Sequence, residues 1–333
     1  MSTASIPQSP VRQRVTRLAP SPTGALHLGN ARTFIINWAL ARRHGWRIVL
    51  RIEDLDTPRV KPGAIAGIER TLRALGIDWD DGPLIQSSDL EPYRVAMRTL
   101  AARGLTYPSP ETRGELEEAA TESLSAPQEG TRESRFPASR RPAVLPGAFT
   151  PQSDPCNWRV VVADRTITIH DRVAGVRTFR PCDSIGDFVI WTKRDQPAYQ
   201  LAVVVDDARQ GVTDIVRGDD LLESAARQRL LMDGLGLGTP PTYFHLPLVR
   251  GQDGKRLAKR HGDTRVDTYL NDGVRPERLI GLIADWSGIE GPRREMAPEE
   301  FLARFDLERL PRYDVVFRSG DDAWLRQESS SAR

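Results

Sequence analysis

A short apolar run at residues 15–19 enters a Pro/Gly-rich turn and leaves it through His27-Leu28-Gly29-Asn30 into a helix-forming stretch, residues 31–44, whose Phe34, Ile35, Trp38 and Leu40 supply the apolar faces. Residues 46–52, WRIVLRI, then read as a second strand of the fully buried kind, ended by Glu53-Asp54-Leu55-Asp56. Amphipathic helices are expected at residues 64–75 and 91–103. Alternating strand and helix predicts an α/β chain built on a Rossmann-type, doubly wound parallel sheet, with ligands beyond the strand C-terminal ends. His27 and Glu53 both follow strands, so one crevice should receive them.

The turn has the chemistry of an anion site. A strand that runs into a helix presents free backbone N–H groups and the positive end of the helix dipole. Pro20 and Pro22 stiffen the turn, and Gly24 permits a backbone geometry that other residues resist. His27 is placed to donate a hydrogen bond to a phosphate oxygen, and Gly29 leaves room for a flat base against the backbone. A second basic loop, GKRLAKRHG, occupies residues 254–262. Only four of the 47 cationic residues are Lys (Lys61, Lys193, Lys255 and Lys259), and two of them fall in this loop. Lys259 offers a compact charge to a leaving pyrophosphate.

A chain of 333 residues with 39% hydrophobic and 28% charged content suits one large domain with an insertion, or two domains. No apolar run reaches membrane-spanning length. Residues 1–14 are polar and lack an apolar signal core, which predicts a disordered tail, a cytoplasmic location and no membrane partner. The net charge of +2 excludes a surface coated with basic residues but leaves room for a local RNA-binding face. Cys156 and Cys182 are too few for a disulfide framework. From about residue 108 to 155 the chain turns rich in Pro, Ser, Glu and Arg, as a loosely packed insertion would. Short strands resume at 158–162, 166–170 and 187–192. The run LAVVV at 201–205 reads as a buried strand, 213–216 as another, and 221–235 as a helix. Helices are also expected at 268–271 and 276–288. The expected organisation is a tail at 1–14, a catalytic domain at 15–105 and 185–250, an inserted subdomain at 106–184, and a loop with a helical C-terminal segment at 251–333.

RLAPSPTGALHLGN at residues 17–30 and KRLAKR at 255–260 resemble the "HIGH" and "KMSKS" motifs of class I aminoacyl-tRNA synthetases. Arg51-Ile52-Glu53-Asp54 and LAVVVDDARQGVTDIVRGDDLL at 201–222 resemble that class's glutamyl branch, most closely the glutamyl-Q tRNA(Asp) synthetases. The resemblance covers roughly residues 15–105 and 185–290. It implies ATP-dependent activation of L-glutamate without tRNA, then transfer of the glutamate to queuosine at the wobble position of tRNA(Asp). The implied partners are L-glutamate and the anticodon arm of tRNA(Asp), Mg2+ is expected to accompany ATP, and a monomer is expected. Only 71 residues follow Gly262, too few for the anticodon-binding region of a full glutamyl-tRNA synthetase, which favours the short form.

Matched by motif, Arg17, Leu18, Ala19, Pro20 and Ser21 would contact glutamate, with Arg17 on its side-chain carboxylate. Glu53 would hold the α-ammonium, Tyr199 would hydrogen-bond the substrate from a strand start, and Arg217 would add a second cationic contact. His27, Gly29, Asn30 and Lys259 would handle ATP, with His27 and Lys259 catalytic. Asp206 and Asp207 would orient ribose or metal-bound phosphate, or cap the next turn.

Two departures stand out. Zinc-binding relatives use a Cys-x-Cys pair and a later Tyr and Cys; the matching positions here are Pro108, Pro110, Phe136 and Arg140, so no zinc is expected. In the basic loop, Arg256 and Ala258 stand where Lys and Ser are usual. The lost hydroxyl removes a hydrogen bond worth about 0.5–1.5 kcal/mol, which slows a reaction by roughly tenfold without abolishing it. Alternatives are a truncated synthetase charging a tRNA 3′ end, a silent tRNA-binding paralogue, and another nucleotidyltransferase with the same first motif. Arg159, Arg172, Arg177 and the helices after Thr268 are candidates for an RNA face.

Overall fold

The computed structural model describes residues 13–109, 111, 114–115, 124, 126, 135–150, 156–255, 257 and 263–327. Strand β1 (Val15–Leu18) is buried throughout and passes through the Pro/Gly turn into helix α1 (Leu28–His44). Helix α1 is buried nearly all round, with Ile35, Ile36 and Asn37 on different sides of it. It starts at His27 as N-cap and ends at Gly45, whose left-handed backbone (φ 66°) lets its N–H reach Ala41 O. Arg42, Arg43 and His44 lie at the negative end of its dipole.

Strand β2 (Arg47–Ile52) runs parallel to β1, and after helix α2 (Ala64–Ala74) strand β3 (Asp81–Ile85) adds parallel to β2. Helix α3 (Glu91–Ala102) and strand β4 (Thr106–Pro108) follow. Strand β5 (Trp158–Val160) pairs with β4 and with β8 (Val189–Thr192), which pairs with β9 (Gln196–Pro197), in a separate antiparallel sheet. Between them, β6 (Ile167–Asp171) and β7 (Gly175–Phe179) form a hairpin.

Helix α4 (Tyr199–Arg209) leads to β10 (Asp214–Gly218), then α5 (Leu222–Leu235) and β11 (Thr242–Leu246). Strand β10 is parallel to β11, and β11 is parallel to β6 through Tyr243 and Asp171. Thr213 N–H donates to Val15 O at 2.9 Å, laying β10 beside β1. The parallel α/β architecture of Rossmann type is the one expected. The hairpin at 167–179, which falls within the stretch 106–184, extends the β10–β11 sheet.

The run at 201–205 corrects the expectation of a strand: it lies in α4. Periodicity cannot separate a buried strand from a buried helix in a short apolar run. Here α4 packs against α3 and α5, and burial on all sides outweighs the strand preference of three successive valines. The helix also carries its polar groups at helical spacing, with Asp206 and Asp207 two turns beyond Tyr199 and Gln200.

Two cores result. One joins α1, α2 and β2 to the C-terminal segment, which contains α6 (Val266–Asn271), α7 (Pro276–Trp286), α8 (Pro298–Arg304) and α9 (Ser319–Arg326). The other joins α3, α4 and α5 to β5 and β8. Strand β13 (Val315–Val316) returns to pair with β12 (Val249–Arg250). Arg32 of α1, 1% exposed, ties the first core together by donating to Pro247 O (2.6 Å) and Trp286 O (3.2 Å). No helix among the described residues is long and apolar enough to cross a membrane.

A methyl group at Gly281, inside α7, would stand 1.9 Å from the carbonyl oxygen of Arg294. Gly281→Ala must therefore push α7 off the segment that precedes α8. Its urea unfolding should show a loss of about 1–3 kcal/mol or more, and wild-type stability would refute this close packing.

Candidate active site

A cleft of about 1220 Å3 opens at the C-terminal ends of β1, β2 and β10. Arg17, Ala19, Pro20, Ser21, His27, Gly29, Asn30, Glu53, Tyr199 and Arg217 all line it. Leu18 does not: its side chain is fully buried in the first core, a correction that follows from strand alternation, which points Leu18 and Arg17 to opposite faces. Lys259, Arg256 and Ala258 lie outside the described residues, and Lys255 and Leu257 carry the basic loop to the cleft.

The floor is a cluster of buried charges. Arg51, with no exposure, donates through Nη1 to Asp207 Oδ1 (2.7 Å) and Gln210 Oε1 (3.0 Å), and through Nη2 to Glu53 Oε1 (3.1 Å). Its carboxylate neighbours hold its pKa above the ordinary value despite burial. Arg17 stands 3.5 Å from Asp207 and donates to Val216 O at 3.3 Å. Burial lowers its pKa. Burial raises the Glu53 carboxyl, against the opposing pull of Arg51 and Arg17. The Tyr199 hydroxyl is pushed up to about 12 by burial first and the Glu53 charge second. Arg17, Arg51 and Arg217 share this floor with the carboxylates of Asp207 and Glu53.

Asp206 and Asp207 support the floor from beneath, and neither is among the residues that line the cleft. Asp207 anchors Arg51, while Asp206 accepts from Gln86 Nε2 and Tyr93 Oη, each at 2.8 Å.

The other end of the cleft is the start of α1. His27 Nδ1 accepts from the N–H groups of Gly29 (3.2 Å) and Asn30 (3.4 Å). An accepting Nδ1 puts the proton of the neutral ring on Nε2. A Cβ at Gly29 would lie 3.1 Å from His27 Cε1, so the glycine preserves the ring's position. Leu28 N–H donates to Thr264 O (3.0 Å), and Val266 N–H to Leu26 O (2.8 Å). These bonds bring the far end of the basic loop against the first motif.

The sequence matches the family described as tRNA synthetases class I (E and Q), catalytic domain, over residues 13–318. The chain belongs to that family. It is similar to a glutamyl-Q tRNA(Asp) synthetase of Rhodopirellula baltica, 41% identical over 91% of this chain and 93% of the relative. A glutamyl-Q tRNA(Asp) synthetase of Symbiobacterium thermophilum is also 41% identical, over 90% of this chain and 94% of the relative. A glutamate–tRNA ligase of Azorhizobium caulinodans is 39% identical over 92% of this chain but 63% of its own length. Among solved structures, a glutamate tRNA ligase from Elizabethkingia meningosepticum in complex with its amino acid has a TM-score of 0.74 at 26% identity, covering 94% of this chain and 69% of that one.

As a class I synthetase of this branch, the chain is a ligase by family, and its insertion departs from the zinc-binding pattern in side-chain chemistry. Pro108 and Phe136 carry no ligating atom, and Arg140 is a cation. Arg159 stacks over the Phe136 ring at 3.9 Å, donates to Ser109 Oγ (3.0 Å) and Asp187 O (2.6 Å), and pairs with Glu111. Arg159 is therefore consumed inside the insertion and corrects its assignment to an RNA face, whereas Arg172 and Arg177 are exposed. Cys156 and Cys182 are not disulfide-bonded and pack against the second core.

Sequence reasoning missed Arg51 as the centre of the floor, and also His245 and Asp171 behind Arg217. The signal was available: a charged or imidazole side chain inside an apolar strand, as in RIVLRI and TYFHL, needs a buried partner. Replacing Arg51 by Met leaves Asp207 and Glu53 buried without their counter-charge. Urea denaturation of Arg51→Met at pH 7 should show a loss of about 3–5 kcal/mol; a loss under about 1 kcal/mol would show that Arg17 alone neutralises both acids.

Proposed function

We propose that this synthetase activates L-glutamate with ATP, without tRNA, to glutamyl-adenylate, and then transfers the glutamate to queuosine at the wobble position of tRNA(Asp). The observation that carries the reading is the charge pattern of the cleft lining: guanidinium groups on Arg17 and Arg217 and a carboxylate on Glu53. Free L-glutamate at neutral pH is its complement, with two carboxylates, one ammonium and a net charge of about −1. Arg17 would take the side-chain carboxylate, Glu53 the α-ammonium, and Tyr199 and Arg217 further polar contacts.

In the first step a substrate α-carboxylate oxygen attacks the α-phosphorus of ATP, the bond to the bridging oxygen breaks, and pyrophosphate leaves. No protein nucleophile is needed, so positioning and charge stabilisation supply the acceleration. His27 Nε2–H and the N-terminus of α1 would meet the phosphates, Gly29 and Asn30 the nucleoside side, and Lys259 the departing pyrophosphate. Mg2+ accompanies the ATP phosphates. In the second step a nucleophile of queuosine attacks the acyl carbon of the mixed anhydride and AMP leaves. Support for this acceptor is the match to relatives named for it at 41% identity over 93% and 94% of their lengths.

Transfer of labelled glutamate, with ATP, to queuosine-containing and queuosine-free tRNA(Asp) tests the acceptor. Label is expected only on the queuosine-containing anticodon. Label on a 3′ end would return the protein to charging of tRNA, and absence of glutamate-dependent ATP–pyrophosphate exchange would leave a silent paralogue.

The raised pKa of Glu53 sets a pH dependence. As pH falls, Glu53 takes up its proton above the ordinary carboxylate range and loses the charge that holds the ammonium. The glutamate KM should therefore rise on the acid side. The bound ammonium favours the anion, so kcat should decline at lower pH than kcat/KM. Profiles for wild type and Glu53→Gln check this: the variant should lack that acid limb and show a raised KM throughout.

A further inference from the structure

Arg217 is the outermost member of a chain of three side chains, one from each of three adjacent strands. Arg217 on β10 is in register with His245 on β11, and Asp171 on β6 is in register with Tyr243 on β11. Arg217 Nε stands 3.0 Å from His245 Nε2, and His245 Nδ1 stands 2.6 Å from Asp171 Oδ2. The imidazole and the carboxylate are both closed to solvent. The backbone N–H groups of Val173 (2.8 Å) and Ala174 (2.7 Å) donate to Asp171 Oδ1, and the N–H of His245 reaches both oxygens, so the carboxylate cannot turn.

The direction of these bonds is forced. A guanidinium only donates, so His245 Nε2 must accept. The ring proton is then on Nδ1, where Asp171 takes it. Burial first, and the Arg217 charge as well, push the His245 pKa down to about 4, which keeps the ring neutral. A neutral acceptor orients the guanidinium without cancelling its charge, as a carboxylate in direct contact would. Nη2 of Arg217 donates to Leu221 O at 3.3 Å, and Nη1 is buried with no protein partner among the described residues.

We infer that Asp171 and His245 are positioning residues for substrate binding: together they hold the Arg217 guanidinium so that Nη1 is presented to a carboxylate of the amino-acid substrate. The inference rests on the reading that Arg217 meets glutamate.

The test is the glutamate KM, ATP KM and kcat in ATP–pyrophosphate exchange for full-length variants. His245→Phe keeps the ring that stacks on Tyr243 but has no acceptor. It should raise the glutamate KM by about tenfold or more, the effect of one lost hydrogen bond to a charged group, with the ATP KM unchanged. His245→Gln places an amide oxygen near the Nε2 position and should recover most of that loss. Asp171→Asn supplies the isosteric control. Its Oδ1 keeps the backbone bonds and its amide then donates to Nδ1, which moves the ring proton to Nε2 and sets donor against donor at Arg217. Asp171→Asn should raise the glutamate KM in the wild-type background and have little effect in His245→Gln.

Equal losses in His245→Phe and His245→Gln, or an Asp171→Asn effect that persists undiminished in His245→Gln, would overturn the inference. If His245→Phe does not fold, the Asp171→Asn comparison decides alone. Arg217→Leu separates the two claims. An unchanged glutamate KM there sinks the underlying reading, whereas a raised KM there with none in His245→Phe sinks the positioning role only.

Discussion

A guanidinium with no access to water, that of Arg51, is the contact on which the site depends. Arginine does not shed its proton inside a protein, so a buried Arg51 makes carboxylate neighbours obligatory. Asp207 and Glu53 meet that demand, and in doing so they are fixed in place. Asp207 then draws Arg17, which lies over the same carboxylate oxygen. One β2 residue thereby sets the positions of groups from β1, from the loop after β2 and from α4. Water-excluded charges of this kind act on a substrate far more strongly than exposed ones.

The second organising feature is backbone closure around the start of α1. The N–H of Leu28 and the carbonyl of Leu26 bond to Thr264 and Val266, so the stretch after the basic loop is sewn to the first motif. His27 serves two ends at once. Its Nδ1 caps the helix and thereby assigns the ring proton to Nε2. The same logic recurs behind Arg217, where the bond made by one imidazole nitrogen determines what the other presents. In both places a side-chain tautomer is settled by a neighbour whose own bonding leaves no choice.

Much of this was legible in the chain. The parallel α/β class followed from strand, turn and helix in alternation, and the crevice shared by His27 and Glu53 followed from their places after strands. Ten of the residues singled out do line one cleft. The failures have physical causes. LAVVV reads as a strand because β-branched residues favour one, yet it forms α4 because every side of it is covered. Leu18 stands in sequence among residues that reach the cleft, yet alternation along β1 sends it into the core. Arg159 looks like a surface cation in the sequence, but the insertion uses it as an internal brace over Phe136.

By itself the sequence determined the class of fold and the residues that the turn between β1 and α1 brings to the cleft, because these depend on local geometry and on the chemistry of individual side chains. It also determined that the insertion lacks zinc-ligating chemistry at the family's positions, since Pro108 and Phe136 offer no donor atom. Only the tertiary structure decided which charges are buried together. Arg51 with Asp207 and Arg217 with His245 and Asp171 are long-range pairings. Their energy comes from exclusion of water, a property of the packed molecule that no local pattern along the chain encodes.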